Sequence, residues 1–126
     1  MLKLFPLSPT IPVQDVERAK QFYLEKLGLE PGDMSAGSEG VLVKSGGVHF
    51  LLYPTQAPRG GHTLAGWPVA DLDAEMAELR GRGVVFEDYD LPGLKTVDGV
   101  YESEDGRGAW FKDSEGNILS LMEMPQ

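Results

Sequence analysis

Apolar residues along the chain follow two rhythms. After Asp15, the residues Val16, Ala19, Phe22, Tyr23 and Leu27 recur at three-to-four spacing, and after Asp71 the residues Leu72, Met76 and Leu79 do the same. That spacing predicts amphipathic helices over 15–27 and 71–82. A carboxylate at the head of each helix can accept bonds from its free N–H groups, and Gly28, Gly81 and Gly83 are placed to stop the two helices. Short apolar or alternating runs elsewhere, such as GVLVK, VHFLLY, GAWFK and NILSLM, read as strands. The predicted strands cover about 8–14, 29–34, 40–44, 48–53, 62–69, 84–90, 100–104, 107–112 and 117–123.

The same pattern is written twice. Pro12-Val13-Gln14-Asp15-Val16 is answered by Pro68-Val69-Ala70-Asp71-Leu72, and SGGVHFLLY by SEGNILSLM, each of the latter following another strand across a Ser-x-Gly turn. The expected fold is α+β: one domain over 1–126, made of two βαβββ modules at about 1–56 and 60–126. A helix covers only one face of each sheet, so the other faces are expected to curl around a cavity. The second module carries an extra stretch, DLPGLKTVDGVYESEDG, whose 91–101 portion is expected to form a rim or lid.

Composition narrows the chemistry. At 126 residues and 41% hydrophobic content the chain can bury one core. Zero cysteines exclude a disulfide framework, thiolate metal sites and a cysteine nucleophile, and fit a cytoplasmic protein. Eleven basic against twenty acidic residues give a charge of −9, which argues against nucleic acid or an anionic membrane as partner. No apolar run approaches the roughly 20 residues that span a bilayer.

IPVQDVERAKQFYLEKLGLEP near the start and AWFKDSEGNILSLME at the end resemble the vicinal oxygen chelate superfamily, which includes glyoxalase I, extradiol dioxygenases and bleomycin-resistance proteins. The resemblance covers nearly the whole chain and rests on Asp15, Phe22, Tyr23, Leu27 and Gly28 and on Phe111, Asp113, Gly116 and Asn117. It implies two βαβββ modules around a cavity, commonly a homodimer, and in the enzymes a divalent metal held by His, Glu or Gln on the first and last strand of each module. The positions of this chain that match those ligands are Ser8, Leu51, Leu64 and Ser120. Two are alkyl, and neutral hydroxyls are poor ligands beside imidazole and carboxylate. The expected cofactor set is therefore none, with no metal site.

His49 and His62 each lie two residues before one of those positions, and residues two apart on a strand share a face. They stand as shifted metal ligands, as pocket-lining hydrogen-bond donors, or as ordinary strand-end histidines. A shifted metal site would need a third ligand, which Pro6 and Ile118 cannot supply. The candidate ligand pocket comprises His49, Leu51, Tyr53, His62, Leu64, Trp67, Tyr101, Trp110 and Ser120. The large aromatic residues could supply contact area, although core packing explains them as well.

Two functions remain open. One is a metal-free protein that binds a small organic molecule, as bleomycin-resistance proteins do by sequestration. The other is a lyase, isomerase or dioxygenase using an atypical metal or acid-base residues such as His49, His62 or Glu123. The acidic cluster Glu102, Glu104 and Asp105 stands beside Glu123 as candidate acid or base groups, although a solvated strand end explains it as well.

Overall fold

The computed structural model describes residues 1–4, 7–32, 40–56 and 61–125. The chain divides into two compact units, residues 1–59 and 60–126.

In the first unit, a 3-10 turn at Leu2–Leu4 precedes β1 (Thr10–Val13), α1 (Val16–Gln21), β2 (Glu30–Pro31), β3 (Val41–Ser45) and β4 (Val48–Pro54). The sheet order is β1-β4-β3-β2, with β1 parallel to β4 and the other pairs antiparallel. Asp15 caps α1 by accepting the Arg18 N–H at 3.0 Å. The helix then widens into a π-helical turn over Phe22–Lys26, where the Leu27 N–H reaches the Phe22 carbonyl. Gly28 ends it in the left-handed region at φ 71°, which lets the Leu29 N–H close on the Tyr23 carbonyl. Gly46 and Gly47, at φ 57° and 83°, form the two-residue turn between β3 and β4; both positions need positive φ, so glycine fits.

The buried face of this sheet carries Ile11, Val13, Val43, Phe50 and Leu52, packed with Ala19, Phe22 and Tyr23 of the helical segment. Tyr23 meets Phe22 and Phe50 edge-on, each at 5.6 Å. The strand expected over 29–34 is reduced to β2, and its positions 33 and 34 lie outside the described residues.

In the second unit the order is β5 (Thr63–Pro68), α2 (Leu72–Gly81), β6 (Asp90–Leu91), β7 (Leu94–Lys95), β8 (Tyr101–Ser103), β9 (Gly106–Lys112) and β10 (Ile118–Glu123). A mixed sheet of order β5-β10-β9-β8 repeats the first unit's pattern, with β5 parallel to β10. The core joins Leu72 and Met76 of α2 to Val84, Phe86, Ala109, Phe111, Leu119 and Leu121. Asp71 caps α2 through the Ala74 N–H at 3.1 Å. Asp113 accepts the N–H groups of Glu115 and Asn117 and the Asn117 amide, fixing the turn before β10.

One expectation fails here. Residues 84–90 do not form a strand; a single bridge, Phe86 to Phe111, touches the sheet, and the chain then turns into the small β6-β7 hairpin. The cause is local. Asp88 turns its carboxylate toward the Thr96 hydroxyl and the Gly99 N–H, which draws the backbone away from β9.

The molecule is thus α+β with two four-stranded mixed sheets, and neither sheet closes on itself. Among the described residues no helix is long and apolar enough to cross a membrane.

Candidate functional site

Side-chain alternation along β9 and β10 sorts the second sheet into two faces. Ala109, Phe111, Leu119 and Leu121 point toward the core, so Gly108, Trp110, Ser120 and Met122 point the other way. Register places Gly66, Ser120 and Trp110 in one row across the strands, and Pro68, Met122, Gly108 and Tyr101 in the next. The Trp110 ring meets Tyr89 edge-on at 5.9 Å and Tyr101 at a tilt at 6.3 Å.

Two glycines keep this surface flat. A Cβ on Gly66 would collide with the Ser120 hydroxyl, and one on Gly108 would lie 2.9 Å from Met122 Sδ and 3.5 Å from the Trp110 ring. Ser120 is buried, and its register opposite Trp110 sets a hydroxyl beside the indole. Burial, and secondarily the Glu87 carboxylate, pushes the Tyr89 phenol above its ordinary pKa.

The other candidate residues fall into separate places. Trp67 pairs with Leu121 and lies nearly parallel to Phe111, at 6.3 Å and 15°, so it belongs to the core-facing side of the sheet. Leu64 sits at a bulge: Thr63 pairs with Ile118 and Ala65 with Leu119, leaving Leu64 without a cross-strand partner. Counting by twos therefore fails across it. His62 precedes β5 and is exposed. In the first sheet His49, Leu51 and Tyr53 share the face opposite the helix, with Thr10, Leu42 and Lys44 as cross-strand neighbours of Leu51 and His49. The Ser8 hydroxyl donates to the His49 carbonyl.

Tyr89 and Met122, both on the Trp110 face or touching it, were missed by sequence reasoning. Met122 was accessible to it, since it lies two residues beyond Ser120 on the same strand. Tyr89 was hidden because residues 84–90 read as a regular strand.

Two of the carboxylates offered as acid-base groups, Glu123 and Glu102, lie against other groups. Glu123 Oε2 accepts the Leu72 N–H at 2.7 Å, adding a second acceptor at the start of α2. Arg107 donates to both oxygens of Asp73, at 2.9 and 3.1 Å, and lies 3.6 Å from Glu123 and 3.4 Å from Glu102. The Glu102 contact is one of charge, since the buried Arg107 Nε–H makes no hydrogen bond among the described residues. The bidentate bond raises the Arg107 pKa and holds the Asp73 carboxyl below the usual carboxylate range.

The donor set does not fit a divalent metal. Leu51 and Leu64 offer only alkyl carbon, and Ser120 is a neutral hydroxyl packed against Gly66. Among the described residues no group of three or more His, Asp or Glu side chains is placed to hold a metal ion.

The chain is similar to several known proteins. A family model described as Bleomycin resistance protein-like N-terminal matches residues 7–38. TnmS3, an antibiotic binding protein from Streptomyces sp. CB03234, is 26% identical with a TM-score of 0.69, covering 96% of this chain and 98% of its own. UcmS2 is 29% identical with a TM-score of 0.71, covering 94% and 97%. Together these matches point to the vicinal oxygen chelate superfamily. The uncharacterized protein YetH of Bacillus subtilis (strain 168) is 27% identical over 116 residues, which are 88% of this chain and 91% of that protein. FosX, a fosfomycin resistance protein from Listeria monocytogenes, is 12% identical with a TM-score of 0.71, covering 96% and 93%, a likeness of fold alone.

Proposed function

We propose that this protein is a metal-free small-molecule binding protein of the glyoxalase/bleomycin-resistance type, and that its organic ligand lays a planar aromatic portion against Trp110. The observation that carries the reading is the flat row of Gly66, Ser120 and Trp110, flanked by Tyr89 and Tyr101. Indole and phenol rings offer offset-stacked and edge-on contacts to another ring, and a few fixed hydroxyls set its orientation. The antibiotic bound by TnmS3, at 26% identity, supports an organic ligand rather than a macromolecule.

The common face of His49, Leu51 and Tyr53 on the first sheet remains part of the proposal as further ligand-contacting surface. Trp67 is left out, because its ring is committed to Phe111. The metal-free reading rests on the alkyl side chains at Leu51 and Leu64. A homodimer and a cytoplasmic setting complete it, the latter on the cysteine-free composition.

The test is tryptophan quenching with a panel of planar polycyclic compounds, paired with elemental analysis of desalted protein. A compound that quenches the wild type is expected to bind W110A about tenfold more weakly or worse. Unchanged affinity in W110A overturns the aromatic site, and stoichiometric zinc, nickel, manganese or iron overturns the metal-free reading.

A further inference from the structure

The inserted segment of the second unit has a consequence apart from the Trp110 face. A cavity of about 630 Å³ opens between α2 and the segment running from β7 to β8. Its apolar lining is Met76 and Ala77 from the helix and Val97 and Val100 from the insert.

The cavity is built by the backbone. Val97 and Val100 exchange both of their N–H and C=O bonds across a two-residue turn, Asp98-Gly99, with φ of 53° and 84°. Gly99 allows close approach to the helix: a Cβ there would lie 3.1 Å from Arg80 Nη2 and 3.2 Å from both Met76 Cε and Phe86 Cβ. From the other side, Asp88 holds the insert through the Thr96 hydroxyl and the Gly99 N–H. The wall is therefore fixed in place. Val97 is left 67% exposed at the cavity, although an apolar side chain gains when it is covered.

The charge inventory selects the ligand. Three cations and three carboxylates line the space, but Arg107 takes up Asp73 through a bidentate pair and contacts Glu102. Arg80 spends one N–H on the Asp98 carbonyl at 2.8 Å and lies over the Phe86 ring at 5.2 Å, which fixes the guanidinium while leaving further donors. Neither Arg80 nor Lys95 makes a carboxylate ion pair among the described residues. Arg80 and Lys95 thus keep donors free at the cavity beside the lining carboxylate Asp98, with the clamped Asp88 carboxylate attracting Arg80 from behind the insert and Asp90 standing across the hairpin from Lys95.

We propose that this cavity is a second binding site, for a small organic anion whose carboxylate or similar head meets Arg80 and Lys95 and whose apolar body covers Ala77, Val97 and Val100 beside the buried Met76. A preformed wall lowers the ordering cost of binding, and a volume of about 630 Å³ lies in the range of small-molecule sites. The site is separate from the Trp110 face and does not depend on the function proposed for it.

Methionine ε-methyl NMR reads the two places independently, Met76 in the cavity and Met122 on the Trp110 face. With the full chain labelled at methionine methyls, cyclohexanecarboxylate is titrated beside cyclohexanecarboxamide and cyclohexylmethylammonium. The carboxylate is expected to shift the Met76 signal, assigned by its loss in M76L, while the amide and the ammonium ion leave it in place. Lys95 is exposed and makes no ion pair, so K95Q is expected to fold normally and to weaken carboxylate binding about tenfold. A Met76 signal unmoved by the carboxylate, or moved as much by the amide or the ammonium ion, overturns the proposal. So does an unchanged affinity in folded K95Q.

Discussion

Trp67 and Trp110 lie on strands of one sheet and look out of opposite sides of it. Pattern alone brings both to the neighbourhood of a cavity; the register then separates them, because Trp67 sits beside Leu121 and Trp110 beside Ser120. Their substitution should separate them too. W67A strips a ring stacked on buried Phe111 and is expected to cost about 3 kcal/mol of stability. W110A loses the ring contacts with Tyr89 and Tyr101 and is expected to cost about 1 kcal/mol, while weakening ligand binding about tenfold or more. Urea unfolding of both variants checks the order, and a larger loss in W110A would refute it. Individual site residues were legible wherever a strand was regular: Ser120, Trp110 and Tyr101 lie on one face by counting in twos. Counting failed at the bulge beside Leu64, since one extra residue reverses the face of what precedes it, and His62 lies before the strand altogether.

The helices and their ends were legible because their determinants are local. Asp15, Asp71 and Gly28 act within a few residues of themselves: the two carboxylates accept from Arg18 and Ala74, and the positive φ of Gly28 brings the Leu29 N–H to the Tyr23 carbonyl. The insert was not legible, because a side-chain clamp rather than an apolar rhythm sets its course. Thr96 is central to that clamp: its hydroxyl donates to Asp88 at 2.7 Å and accepts the Tyr89 N–H at 2.8 Å. T96V is expected to lower stability by about 1–2 kcal/mol and to speed hydrogen exchange at the Tyr89 and Gly99 amides before the rest of the sheet. The Thr96 hydroxyl, and next the Gly99 N–H, hold the Asp88 carboxyl below the ordinary carboxylate pKa. A depressed pKa contributes stability that is fully present above the unfolded-state value and is lost as pH falls through the folded-state value. Acid unfolding of D88N should therefore show a shallower loss below the ordinary carboxylate range than wild type. Parallel acid limbs would mean that the clamp contributes nothing through its charge.

At the scale of the whole molecule, the −9 charge and the uncovered apolar residues oppose each other. Leu64, Tyr53 and Met122 are 43%, 48% and 37% exposed, which favours covering by another surface, and the proposed homodimer supplies one. Each copy nevertheless carries the same net charge, so bringing two together costs repulsion that counter-ions relieve. At about 0.15 M salt the Debye length is about 8 Å, against about 30 Å at 0.01 M. An interface driven by apolar burial between like-charged copies should therefore tighten as salt rises over that range, whereas one built on complementary charges should loosen. Sedimentation velocity is expected to show a species of twice 13.7 kDa whose share grows with added salt, and L64D is expected to reduce that share at every salt concentration. A 13.7 kDa species at all protein and salt concentrations would remove the homodimer, and a dimer weakened by salt would transfer its origin from the apolar faces to paired charges.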